Sequence, residues 1–130
     1  MEITKLEAKD VMKTPVISAK KKTSARDSAL QLVSGRFSGM PVIDEVERVI
    51  GVITEHDLLD QVREGKDLGK LVVEDVMQKN PITVDVNAPL SDVVDIMLEN
   101  GILRIPVTDG LCLVGVISRS DILRIALSNN

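Results

Sequence analysis

The chain has 130 residues, of which 44% are hydrophobic and 28% charged, and this composition suits one compact globular domain rather than a disordered chain. A net charge of −4, one Phe and no Trp or Tyr argue against a nucleic-acid surface, an anionic membrane surface or a base-stacking platform. No apolar stretch approaches the ~20 residues of a membrane span, no signal-peptide core is present, and the single Cys112 excludes an internal disulfide, so we expect a cytoplasmic protein.

The first half of the chain predicts a helical turn, a brief strand, a helix, two strands and a closing helix. These elements lie at Ala8–Met12, after Pro15, from Thr23 or Ser24 to Gly35, at Met40–Ile43, at Val49–Thr54 and around Leu58–Val62. The helices follow from apolar residues at helical spacing, and Gly35 is expected to end the first long helix. The charged, glycine-containing segment Glu64–Leu71 is predicted to be a linker.

The second half repeats the same order of elements. They lie at Val73–Met77, after Pro81, from Pro89 to Gly101, at Arg104–Thr108, at Leu111–Ser118 and around Ile122–Leu127. Asp109-Gly110 is a strong signal for a tight turn between the last two strands. Because Cys112 stands in an apolar run, we expect its thiol to be buried and inert.

The two halves also share their sequence. GVITEHD at 51–57 returns as GVISRSD at 115–121, Asp10-Val11-Met12 as Asp75-Val76-Met77, and Met40-Pro41-Val42 as Ile105-Pro106-Val107. The offset stays between 64 and 66 residues, which indicates an internal duplication. We therefore predict a mixed α/β (α+β) fold of two pseudo-symmetric β-α-β-β-α repeats, residues 1–65 and 66–130.

The repeated heptad has two interpretations. Thr54 and Ser118 stand where a strand ends and a helix begins, and Asp57 and Asp121 follow three residues later, as in a capping box. The same groups suit a nucleotide, because helix N-terminal N–H groups favour phosphate and a carboxylate one turn in can accept both hydroxyls of a ribose. The heptad alone leaves both open.

The tandem heptads, the two Asp-Val-Met openings and the Met-Pro-Val and Ile-Pro-Val strands together resemble a pair of cystathionine-β-synthase (CBS) domains, a Bateman module. The resemblance covers essentially the whole chain. It implies repeats packed through their sheets, dimers shaped as a flat disc, and an adenosine-containing ligand (AMP, ADP, ATP or S-adenosylmethionine) in clefts between the repeats.

The resemblance also implies which residues contact the ligand. For one site it assigns Asp121 as the ribose acid, Ser118 and Ser120 as hydroxyl contacts, and Arg104 as the phosphate contact. Ser38 and Ile17 would contact the same ligand from the other repeat. The mirror site would use Asp57, Thr54 and His56 with Thr83. Gly39 stands there in place of Arg104, so fewer cationic groups favour a monophosphate or thioether ligand over a triphosphate.

Catalysis is not expected. His56 is the only histidine and has no neighbouring metal-ligand pattern, and the chain has no Walker A loop and no G-x-S-x-G motif. We predict no catalytic residue, metal or cofactor, and a homodimeric regulatory module, sensing adenosine nucleotides, that signals to a partner protein. A structural dimerisation module with empty clefts and a nucleotide-processing enzyme remain the alternatives. The dimer would cover the apolar helix faces with Leu58, Leu59, Val62, Ile122, Leu123 and Ala126.

Overall fold

A computed structural model describes residues 3–128 of the chain. The chain forms two compact units: a middle unit, Ile17–Pro81, and a terminal unit made of the residues up to Val16 together with those from Ile82 onward. The units therefore differ from the sequence repeats. The helical turn that opens each repeat belongs to the unit that contains the strands of the other repeat.

Thirteen helices and strands form the described chain. They are α1 (Ala8–Val11), β1 (Ala19–Lys20), α2 (Ala25–Gly35), β2 (Gly39–Ile43), β3 (Val49–Thr54), α3 (Glu55–Arg63), α4 (Val73–Val76), β4 (Gln78–Lys79), β5 (Val84–Asp85), α5 (Leu90–Glu99), β6 (Arg104–Asp109), β7 (Cys112–Ser118) and α6 (Arg119–Ser128). Short 3-10 turns lie at Ile3–Lys5 and Leu68–Lys70. The β-α-β-β-α order predicted for each half is confirmed.

The middle unit has a four-stranded sheet in the order β1-β2-β3-β4. β1 runs parallel to β2, and the other neighbours are antiparallel. Apolar residues from the sheet and from α2, α3 and α4 form one core cluster. Its buried members are Ala19, Ala25, Leu32, Met40, Val42, Ile53, Leu58 and Val73. The pleat of β3 turns alternate residues inward, so the core of this unit is built from one face of the strand.

The terminal unit repeats this plan with the sheet β5-β6-β7. Lys13 adds a bridge to Val116 of β7, at the place where β4 pairs with β3 in the middle unit. Its buried core residues are Leu6, Ala8, Val84, Leu90, Val93, Met97, Ile105, Val107, Ile117 and Ile122. Leu6 and Ala8 come from the chain's N-terminal segment, so this segment is part of the packed unit.

In each unit a methionine lies against a glycine of the long strand that precedes the closing helix, β3 in the middle unit and β7 in the terminal unit. A Cβ on Gly115 would meet Met12 Sδ at 2.5 Å, and a Cβ on Gly51 would meet Met77 Sδ at 2.6 Å and the carbonyl oxygen of Gln78 at 2.7 Å. A Cβ at Gly115 would force Met12 to move, and one at Gly51 would force Met77 and the backbone of Gln78 to move, because real Cβ atoms do not come so close. The methionine of each Asp-Val-Met motif thus packs against the glycine that opens a repeated heptad.

The first long helix ends at Gly35, as predicted, but Gly35 is not the left-handed residue that follows the helix. Gly35 remains helical, and Arg36 adopts the left-handed conformation with φ 57°. The ring of Phe37 lies where a Cβ on Gly35 would stand, so Gly35 provides space rather than an unusual backbone angle. In α5 the prediction is confirmed, because Gly101 follows the helix with φ 62°.

Three other expectations need correction. Cys112 is exposed, because it begins β7 directly after the turn and pairs with Asp109 at the edge of the hairpin. Leu58 and Ile122 are buried in their units and do not belong to an exposed helix face. The segment predicted as a plain linker contains the 3-10 turn, whose Leu68 packs against the middle core. Within residues 3–128 no helix has the length and apolar character needed to cross a membrane.

Candidate ligand-binding site

The two heptad aspartates occupy equivalent places at the starts of α3 and α6. Asp57 N donates to Thr54 Oγ1 at 3.2 Å while Thr54 N donates to Asp57 Oδ2 at 2.9 Å. Asp121 N and Ser118 N form the same reciprocal pair with Ser118 Oγ and Asp121 Oδ2, at 3.2 and 2.9 Å. The capping-box interpretation is therefore confirmed in both copies.

Asp121 is the more enclosed of the two carboxylates, with a side chain only 5% exposed. Its Oδ1 accepts from Lys13 Nζ at 3.0 Å and from Arg124 Nη1 at 3.1 Å. Burial opposes ionisation most strongly, but the N–H of Ser118 and the Lys13 ammonium outweigh it, so the pKa of Asp121 lies below its usual value. The structure thus holds an ionised carboxylate at the start of a ten-residue helix.

Further polar residues lie near the start of α6. Ser118 Oγ and Ser120 Oγ are 2.9 Å apart, and Arg104 at the start of β6 pairs with Ser118 in the strand register. The guanidinium of Arg119 donates through Nε to the carbonyl of Ile102 at 2.9 Å, in the loop before β6. The structure therefore places Ser118, Ser120 and Asp121 together at the start of α6, with the backbone of Arg104 beside Ser118, and their role as ligand contacts stays a prediction.

Asp57 in the middle unit has neutral partners. Thr54 Oγ1 donates to its Oδ2 at 2.9 Å, and Gln78 Nε2 donates to its Oδ1 at 3.1 Å. Asp60, at the position equivalent to Arg124, pairs with Arg63 at 2.7 Å. The two aspartates share a backbone frame and differ in the charge around them.

The other predicted residues of the middle unit lie near this frame. His56 is largely exposed, and its Nδ1 is 3.5 Å from Asp60 Oδ2. The carbonyl of Ser38 accepts from Glu55 N at 2.9 Å, which places Ser38 next to the start of α3. Gly39 pairs with Thr54 as Arg104 pairs with Ser118, so the predicted equivalence of Gly39 and Arg104 is confirmed.

Two assignments cross from one unit to the other. Ile17 precedes β1 and is 46% exposed, and with Ser38 it belongs to the middle unit, although the resemblance assigns both to the Asp121 site. Thr83 precedes β5 in the terminal unit and was assigned to the Asp57 site. These contacts stay predictions.

Sequence reasoning missed Lys13, Gln78 and Arg124, whose side chains also contact the two aspartates. Lys13 and Gln78 each follow the repeated Asp-Val-Met motif directly, and Arg124 stands three residues after Asp121. The repeat would have marked the first two as equivalent positions. Their contact with the aspartates, however, depends on the exchange of opening turns between repeats, which only the folded chain reveals. Among residues 3–128 no three histidine, cysteine or acidic side chains gather as a metal site would require.

Comparison with known proteins agrees with this architecture. The chain is 33% identical to the chloroplastic CBS domain-containing protein CBSX1 of Arabidopsis thaliana over 82% of its own length, and 28% identical to an uncharacterized Methanopyrus kandleri protein over 89%. It spans 58% and 60% of those two relatives, so it matches little more than half of each.

Solved structures match nearly the whole chain. CBSX2 of Arabidopsis thaliana in complex with AMP is 29% identical, with a TM-score of 0.82 over 95% of this chain and 97% of that one. The CBS domain pair of protein MJ0100, in complex with 5′-methylthioadenosine and S-adenosyl-L-methionine, is 26% identical, with a TM-score of 0.82 over 96% and 98%. The CBS domain family model matches residues 8–64 and again 73–128. With two such matches and the duplicated fold, this chain belongs to the CBS-domain family.

Proposed function

We propose that this chain is a non-catalytic regulatory module that binds an adenosine-containing ligand through Asp121 and passes its occupancy to a partner protein. The observation that carries the proposal is the enclosed, ionised carboxylate of Asp121, set among two serine hydroxyls and two cations. A ribose offers two neighbouring hydroxyls to such a carboxylate, and the cations suit a phosphate. The relatives solved with AMP and with S-adenosyl-L-methionine support the ligand class.

The direct test is calorimetric titration of the purified chain with AMP, ADP, ATP, S-adenosylmethionine and adenosine. We expect at least one of the five to bind in the micromolar range, and we expect GMP, with another base on the same ribose phosphate, to bind more weakly. Heats indistinguishable from dilution for all six compounds would refute the proposal. They would leave the capping boxes as the complete explanation of the repeated heptad.

A regulatory module should not turn its ligand over. Both heptad aspartates are engaged in their helix caps, and each carboxylate has a further partner, Gln78 for Asp57 and Lys13 for Asp121. We therefore expect ATP incubated with the chain to remain intact. Chromatography that shows steady release of ADP or AMP above the buffer control would contradict this part of the proposal.

We also propose that the chain is a homodimer. Apolar side chains on the outer faces of α3 and α6 are left exposed: Leu59, Val62, Leu123 and Leu127 are 64%, 54%, 61% and 71% accessible. Exposed apolar patches of this kind mark interfaces, and a two-fold dimer is the commonest closed assembly. Light scattering should give twice the chain mass, and Leu59→Lys with Leu123→Lys should reduce it. A wild-type monomer at micromolar concentration would contradict the dimer.

A further inference from the structure

Lys13 is fixed at its backbone, and its side chain extends into solvent. Lys13 N donates to the carbonyl of Val116 at 2.9 Å and Val116 N donates back at 3.2 Å, while the neighbouring Met12 rests on Gly115. The lysine side chain is nonetheless 62% exposed. Its ammonium can therefore exchange partners without any movement of the backbone.

The acceptor sites on Asp121 are largely occupied. Oδ2 accepts from Ser118 N, and Oδ1 accepts from both Lys13 and Arg124, which fills its two lone-pair directions. A ribose that bonds both carboxylate oxygens must displace one cation from Oδ1. Arg124 is three residues away on the same helix, whereas Lys13 reaches across from another segment on a flexible stem, so Lys13 is the group that leaves.

This displacement affects different ligands unequally. A ribose that bonds both carboxylate oxygens of Asp121 would break the ion pair with Lys13. A ligand that carries a phosphate gives the released ammonium a new anionic partner, and lysine serves as a point charge for phosphate. An unphosphorylated nucleoside gives it none, and a sulfonium ligand adds a positive charge.

The middle unit has no lysine at the position equivalent to Lys13. Gln78, which follows the second Asp-Val-Met motif as Lys13 follows the first, donates to Asp57 Oδ1 at 3.1 Å with a neutral amide. The position equivalent to Arg124 holds Asp60. The chain thus contains a natural neutral version of the same contact on the same backbone frame.

We propose that Lys13 is a specificity-determining residue, which holds Asp121 in the empty site and selects phosphorylated over unphosphorylated adenosine ligands by moving from the carboxylate to the phosphate. The inference rests on the proposed function, because it takes Asp121 as the ribose acid. It adds a role for a segment that belongs by sequence to the first repeat and by packing to the unit of the second.

The test is calorimetric titration with AMP and with adenosine, in the full chain carrying Asp57→Ala so that the Asp121 site is read alone. Lys13→Gln copies the contact of the middle unit. We expect it to tighten adenosine about threefold, the effect of removing one partly exposed ion pair, and to weaken AMP about three- to tenfold. The preference for AMP over adenosine should therefore fall by about tenfold or more.

Lys9→Gln is the matched control, because Lys9 lies on the same segment and pairs with Glu7 at 3.2 Å rather than with Asp121. It removes the same charge and should leave the preference unchanged. Melting temperatures confirm that each variant is folded. An AMP-to-adenosine ratio that is equal in Lys13→Gln and its parent would overturn the inference while leaving the proposed function standing. A wild-type chain that binds neither AMP nor adenosine would overturn the inference, and one that binds none of the six compounds named for the proposed function would overturn both.

Discussion

Replacing each heptad aspartate by alanine separates a ligand contact from a helix cap. Asp57 and Asp121 make the same reciprocal bonds with Thr54 and Ser118, at 2.9 and 3.2 Å in both copies. As caps they are equivalent, and the loss of either should lower the free energy of unfolding by about 1 kcal/mol. Asp121→Ala also removes two ion pairs with largely exposed partners, each of which adds at most about 1 kcal/mol.

Ligand affinity should respond differently. A hydrogen bond from ribose to a charged acceptor contributes roughly 1.5–3 kcal/mol, so Asp121→Ala should weaken AMP binding about ten- to a hundredfold. Asp57→Ala should have a smaller effect, because Asp57 contacts the neutral Gln78 where Asp121 contacts Lys13, and the position equivalent to Arg124 holds Asp60.

Calorimetric titration of AMP into both variants, with thermal unfolding as the control for folding, measures the two effects separately. Asp121→Asn supplies a second control, since it retains an oxygen that can cap the helix while removing the charge. Equal AMP affinities in wild type and Asp121→Ala would refute the ribose assignment. Equal losses in both alanine variants would refute the ranking of the two sites.

Three further changes test the surrounding structure. Gly115→Ala should lower the free energy of unfolding by about 1–3 kcal/mol and weaken AMP binding, because the new Cβ displaces Met12 and with it Lys13. Chemical denaturation that shows no loss of stability would contradict the close packing of Met12 on Gly115. Asp44→Ala should lower the free energy of unfolding, because Arg48 N and Arg48 Nε both donate to this carboxylate. An unchanged urea midpoint would show that the turn does not depend on it. Since the folded pKa of Asp121 is lowered, its contribution to stability is complete above about pH 4 and is lost as the pH falls through the folded pKa. The stability difference between wild type and Asp121→Asn should therefore shrink in acid, and a difference that is constant down to about pH 2 would contradict the sign of the shift.

The features of the fold that depend on interactions between nearby residues could be predicted from the sequence. The capping boxes at Thr54 and Ser118, the turn at Gly110 and the helix end at Gly101 depend on residues a few positions apart, and all four were predicted correctly. Gly35 was misread because the reason for its presence is the ring of Phe37, a steric requirement that a helix-ending pattern does not express. Cys112 was misread because apolar neighbours along the chain do not determine which end of a hairpin is exposed.

The sequence by itself determined the duplication, the order of elements in each half and the identity of the two aspartates, since these depend on repetition and on contacts within one turn. Tertiary structure alone decided the partners of those aspartates. Lys13 lies 108 positions before Asp121, and Gln78 lies 21 after Asp57. Lys13 and Gln78 reach equivalent positions beside the aspartates because each opening turn packs on the strands of the other repeat. Met12 packs against Gly115 in one case and Met77 against Gly51 in the other. The charge that distinguishes the two carboxylates is therefore set by long-range packing, which no local pattern encodes.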